Sequence, residues 1–175
     1  MNKLIKKIAT AALALTLIGG VFTGCGTAAT TNNTTSAPAA TQYTLSANVS
    51  LSAQNNGTLP ETGKIGDIEY TLLSSDNFGY KTKEKGYFVD MLEQLDSPYF
   101  IVITSGPETR EGASIKIVDI GEENGTLKIV VEETAATGEK FDDVYSPFCV
   151  LELNRMPGTL DIRNTDGEVF NSINP

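Results

Sequence analysis

The 175-residue chain has no histidine and no tryptophan. Without His there is no Ser-His-Asp or Cys-His nucleophile pair and no imidazole zinc ligand. There is also no side chain whose ordinary pKa makes it a general base near neutral pH. Positive charge is scarce: 13 Lys and Arg stand against 22 Asp and Glu, a net charge of −9. A chain of that sign is repelled by phosphate backbones, which argues against nucleic acid as a partner. No Gly-rich phosphate loop of either common spacing occurs, so nucleotide chemistry has no foundation here. Cysteine appears twice, at Cys25 and Cys149, and a long apolar run only once, near the start.

That run, Ile8 to Val21, follows the basic opening Met-Asn-Lys-Leu-Ile-Lys-Lys and is too short for an ordinary membrane span. It leads into Phe22-Thr23-Gly24-Cys25, which resembles a bacterial lipobox, where signal peptidase II cuts before a lipidated cysteine. The expectation is a lipoprotein signal peptide over 1–24 and lipid attachment at Cys25. Cleavage removes Lys3, Lys6 and Lys7 and no acid, so the charge moves from −9 to −12. Attachment to the cell membrane, on its extracytoplasmic side, then rests on acyl chains, at about 0.8 kcal/mol per buried methylene. After the cysteine, residues 25–42 are nearly all Thr, Ala, Asn and Ser. Such a composition cannot bury enough apolar surface to order itself and reads as a flexible tether. A lipidated Cys25 leaves Cys149 without a disulfide partner, and its place in an apolar strand predicts a buried, unreactive thiol.

Residues 43–175 carry the remaining apolar pattern and read as one β-rich α+β domain. In its middle, Ile115 and Ile117 alternate with polar residues, as do Leu127, Ile129 and Val131. Asn124-Gly125 lies between these runs and accepts the positive φ of a type I′ turn, so the pair predicts a β-hairpin with one apolar face. Apolar strands flank it at Tyr99–Thr104 and Pro147–Leu153. Tyr43, Leu45, Ala47, Val49 and Leu51 alternate and predict a first strand, and Ile68–Leu73 a second. Leu160 with Ile162, and Val169-Phe170, suggest short final strands. Phe88, Met91, Leu92 and Leu95 fall at i, i+3, i+4 and i+7. That spacing predicts an amphipathic helix over Tyr87–Leu95, stopped at Asp96-Ser97-Pro98 and covering one face of a mostly antiparallel sheet.

Motifs with chemical meaning are few. Leu59-Pro60-Glu61-Thr62-Gly63 spells a sortase signal but lacks the apolar span and basic tail that such a signal needs, so a turn is the better reading. Asp161–Gly167 has a faint likeness to a calcium loop, with Arg163 where a ligand is required and no closing Glu; a turn capped by Asp166 is expected instead. The acid pairs Glu122-Glu123, Glu132-Glu133 and Asp142-Asp143 are sequence neighbours, and neighbours on a strand point to opposite faces. No catalytic residue, cofactor or metal is therefore expected.

The strand Tyr99–Gly106, the segment Gly112-Ala-Ser-Ile115, the Asn-Gly hairpin with Leu-Lys-Ile-Val-Val, and Tyr145-Ser-Pro147-Phe before a last apolar strand resemble the C-terminal domain of PrcB protease-complex subunits. The resemblance implies a secreted or lipid-anchored bacterial protein associated with an extracytoplasmic serine protease, and it brings no catalytic residues. The reading is a non-catalytic protein-binding lipoprotein whose partner is that protease or another envelope protein. A small-ligand sensor or carrier of the cell envelope is the alternative, and an enzyme using carboxylates alone a third reading. The candidate partner-binding loop is Ser105–Gly112, with Arg110, one of three arginines, and Gly112. Thr134–Asp143 is the second loop capping the central strands, and Arg110 has Glu108 and Glu111 as nearby ion-pair partners in sequence.

Overall fold

The computed structural model describes residues 41–91 and 99–174. In chain order its elements are α1 (Leu51–Gln54), β1 (Thr62–Ile65), β2 (Ile68–Leu73), β3 (Gly86–Met91), β4 (Tyr99–Thr104), β5 (Glu108–Arg110), β6 (Ser114–Glu123), β7 (Thr126–Thr134), β8 (Lys140–Tyr145), β9 (Phe148–Leu153) and β10 (Thr159–Asn164). The proposed signal peptide, Cys25 and the tether up to residue 40 lie outside the described residues, as do Leu92, Leu95 and Pro98.

Alternation decides the architecture. The hairpin forms as its pattern requires: β6 and β7 pair antiparallel through Glu123↔Thr126, and Asn124 and Gly125 hold φ of 54° and 78°. Only residues that tolerate the left-handed region close so tight a turn. Ile115, Ile117, Leu127, Ile129 and Val131 all enter one buried cluster. β10 extends this sheet by pairing parallel with β7, giving the order β10-β7-β6. A five-stranded antiparallel sheet, β1-β2-β9-β4-β3, supplies the opposing residues Ile68, Tyr70, Ile101, Ile103, Leu151 and Leu153. Two sheets burying their apolar faces against each other are the standard way to remove such surface from water. β5 and β8 form a separate two-stranded ribbon. The β-rich, mostly antiparallel fold class expected from the sequence is the one observed, with one parallel strand pair.

Three element assignments change, the least of them at Val169-Phe170, where the expected last strand is a single bridge from Val169 to Arg163. The stretch read as the start of a helix is β3, which pairs with β4 from Gly86↔Thr104 to Met91↔Tyr99. Phe88 is buried and Val89 exposed, the period of a strand. Pairing with β4 and packing of Phe88 against Phe100 outweigh the helical spacing of Phe88 and Met91. The strand expected over 43–51 is not formed: residues 43–50 carry no regular element, and a short helix begins at Leu51. Ser50 Oγ accepts from the Ala53 N–H at 2.9 Å and caps α1, so Leu51 opens a helical turn rather than ending a strand.

β4 is buried on both faces. Ile101 and Ile103 face the other sheet, while Phe100 and Val102 join Phe88 and Val150 in a second cluster on the outer face. Phe78, Tyr80, Phe148 and Ile173 pack onto that cluster. The sequence holds no local run of aromatics, yet Tyr80 meets Phe88 and Phe148 edge-on at 5.2 and 5.5 Å, and stacks on Phe78 at 5.6 Å.

Candidate functional site

The two loops expected to cap the central strands come together. Part of each is regular: Glu108↔Tyr145 and Arg110↔Lys140 pair β5 with β8 across an irregularity. The Tyr145 hydroxyl donates to the Arg110 carbonyl at 2.9 Å and accepts from the Ala113 N–H at 3.2 Å. The Glu111 carbonyl accepts from the N–H groups of Thr137 and Gly138 at 3.2 and 2.9 Å. Gly112 sits at φ 91°, in the left-handed region, with the side chain of Thr137 beside it. The loop is thus held by the Tyr145 hydroxyl and by backbone bonds from Glu111 to residues 137–139.

Its base is equally well held. Thr82 and Thr104 share a buried hydroxyl–hydroxyl bond of 3.0 Å, and Thr104 Oγ1 also accepts from the Gly106 N–H at 3.1 Å. Ser146 Oγ takes the Thr82 N–H at 3.0 Å and donates to its carbonyl at 3.2 Å.

Arg110 stands exposed on this frame. The neighbouring Glu108 does not pair with its guanidinium, because Glu108 Oε1 accepts the N–H groups of Thr109 and Arg110 at 2.7 and 3.0 Å. Glu111 makes no ion pair with it either; among the described residues no salt bridge involves Arg110. Pairing within the loop, the plain structural use for this arginine, is therefore not made. Arg110, Pro107, Ala135 and Glu133 line a groove of about 450 Å³.

At the back of the groove the acids are already committed. Lys85 Nζ bridges Glu133 at 2.7 Å and Glu168 at 2.6 Å and lies 4.7 Å from the centre of the Phe170 ring. Asn164, itself buried, donates to both carboxylates at 2.8 and 3.1 Å. Burial alone raises the pKa of Glu133. Hydrogen bonds from Asn164 and Lys85, with the charge of Lys85, more than reverse this and hold it below its ordinary value. The Ser105 hydroxyl leans the same way without a hydrogen bond of normal geometry. Lys85 loses some of its proton affinity to burial, but its two carboxylate partners carry its pKa above the ordinary value. A carboxylate so paired is a poor proton donor, and Glu132 faces away from it, paired with Lys116 at 2.7 Å.

These shifts fix a pH dependence. The contribution of Glu133 to stability is complete above its unfolded value of about 4.5 and is lost as pH falls through the depressed folded value. That of Lys85 is complete below about 10.5 and is lost as pH rises through its raised folded value. Tyr80, pushed up to about 12 by burial and by its hydrogen bond to Asp90, adds to the alkaline loss. The difference in urea midpoint between the wild type and Glu133→Gln is expected to be constant near neutrality and to shrink at acid pH. A difference unchanged at acid pH would show that the carboxylate's charge contributes nothing.

The other motifs take structural roles. Leu59 packs against the core, the Pro60 carbonyl accepts from the Tyr70 hydroxyl at 3.2 Å, and Thr62 and Gly63 are paired in β1. A sortase needs that peptide bond extended and free. In the 161–167 segment Arg163 bonds Asp161 at 2.9 Å, and Asn164 Oδ1, rather than Asp166, caps the turn by accepting the N–H groups of Asp166 and Glu168. No group of three or more metal-ligating side chains converges among the described residues. Cys149 is half-buried rather than fully buried, packed against the main cluster, and desolvation of its thiol pushes its pKa up to about 12. The aromatic cluster borders a second groove of about 430 Å³, lined by Tyr80, Tyr145, Pro147 and Phe148. Sequence reasoning missed it because its residues come from three separate segments. No family model, characterised protein or solved structure matches the chain.

Proposed function

We propose that this protein is a non-catalytic binding subunit of the bacterial cell envelope, anchored to the membrane through lipid at Cys25 and docking a protein partner on the Ser105–Gly112 loop. The observation that carries the reading is Arg110: an exposed guanidinium without an ion pair, on a loop pinned by Tyr145, in a chain of net charge −9. Arginine on a preorganised frame is a favoured anchor for a partner's carboxylates or backbone carbonyls, since its planar fork offers several donors at once. The likeness to PrcB C-terminal domains makes an extracytoplasmic serine protease the first partner to try.

The test uses the membrane-derived chain as bait in envelope extracts. Arg110→Glu is expected to reduce capture of the partner at least about tenfold, the scale of one lost charge-assisted contact. Its thermal midpoint should barely move, because no ion pair is broken. Undiminished capture removes this loop from the site. A mass spectrum of the same bait should give an N-terminal Cys25 bearing diacylglycerol, and any other N-terminus removes the anchor.

A further inference from the structure

The outer face of the three-stranded sheet holds a different kind of site. β6 carries one extra residue there, Val118, between Ile117, which pairs with Val131, and Asp119, which pairs with Val130. Strict alternation puts Asp119 on the core face with Ile117. The bulge turns it outward and returns Ile120 to the core. Above it lies the segment that includes α1, drawn down closely because β6 has Gly121 at the contact. A Cβ on Gly121 would come within 2.3 Å of the Val49 carbonyl oxygen.

Between this segment and the sheet is a cavity of about 510 Å³, within the size range of small-molecule sites. Leu45, Ala47, Val118 and Val130 give it apolar walls. Asp119 is 8% exposed, and its Oδ1 accepts from the N–H groups of Ser52 at 3.0 Å and Ile120 at 2.9 Å. Both bonds fall on one oxygen. Among the described residues no hydrogen bond reaches Oδ2, that oxygen is not sealed from solvent, and Asp119 lines the cavity.

The chemistry of this cavity is one-sided. Among the described residues no Lys or Arg lines it, and the other acid present, Glu132, is paired with Lys116 at 2.7 Å. One free carboxylate oxygen is far too few for calcium, which takes six to eight oxygen ligands. It suits a single ammonium group attached to an apolar body. We propose that the cavity binds a small primary amine, its ammonium donating to Asp119 Oδ2 and its body lying on Leu45, Val118 and Val130. This site is independent of the Arg110 loop, and neither proposal depends on the other.

Methyl NMR of the full chain tests it, with 2-phenylethylammonium as probe and 3-phenylpropionate, of similar shape and opposite charge, as control. The amine should shift the Leu45, Val118 and Val130 methyl signals saturably, with a Kd of about 1 mM or tighter, and the carboxylate should leave them in place. Asp119→Asn keeps an acceptor for both backbone N–H groups but removes the charge, and should weaken binding at least about tenfold. Ala53→Phe, at an exposed residue on the cavity wall, should obstruct entry without disturbing the sheet. It decides the matter alone if Asp119→Asn loses its dispersed spectrum. Equal binding of amine and carboxylate, no saturable shift in the wild type, or undiminished binding in the variants would each overturn the proposal.

Discussion

Leu151→Ala is expected to lower the free energy of unfolding by about 2–5 kcal/mol. Leu151 lies in β9, the middle strand of the five-stranded sheet, and is 0% exposed. It pairs with Leu72 on one side and Ile101 on the other, so three aliphatic side chains stand in a row facing the second sheet. Truncation there forfeits the transfer free energy of the lost methyl groups and leaves a void that flanking strands cannot collapse into. Domains of this size are stable by only about 5–15 kcal/mol, so the loss is a large share of the whole. Urea denaturation should show a lower midpoint with the slope preserved. A loss under about 1 kcal/mol would mean that the row is not the centre of the core.

Phe100→Ala is expected to cost about 3–5 kcal/mol, but through the opposite face. Phe100 is 3% exposed and lies 6.0 Å from Phe78. The void therefore opens beneath the segment that carries Phe78 and Tyr80, not between the sheets. Hydrogen exchange should quicken at the amides of residues 78–82 well before the β6–β7 hairpin is affected. If the hairpin amides lose protection equally, the outer cluster is part of one cooperative core and the separation is wrong.

The sequence was most readable where one face of a strand is buried and the turn chemistry is strict. β6 and β7 meet both conditions, and their pairing could be written down from Ile117, Ile129, Val131 and Asn124-Gly125. β3 was unreadable for a definite reason. Phe88 and Met91, three apart, share a face only in a helix; pairing with β4 puts them on opposite faces, Phe88 buried and Met91 exposed, and the local spacing does not show that partner strand. The 43–51 alternation does not make a strand, because residues 43–50 pair with no sheet and Ser50 caps a helical turn that starts at Leu51. Arg110 was picked out by its rarity. That it is free of Glu108 depends on two backbone N–H groups taking the carboxylate, which no spacing rule conveys. Asp119 was hidden by the bulge, although the step from Ile117 to Ile120 breaks the period of two and marks the place.

The order of strands also sets a schedule. β2 ends at Leu73 and β4 at Thr104, yet the strand that fills the slot between them begins only at Phe148. A chain emerging from its N-terminus therefore carries two half-built edges for much of its synthesis, whereas the β6–β7 hairpin joins strands adjacent in sequence. The five-stranded sheet is completed in one late step, when β9 inserts and joins both halves together. Until then β2 and β4 each present an unpaired edge, and both are covered only when the six residues of β9 arrive.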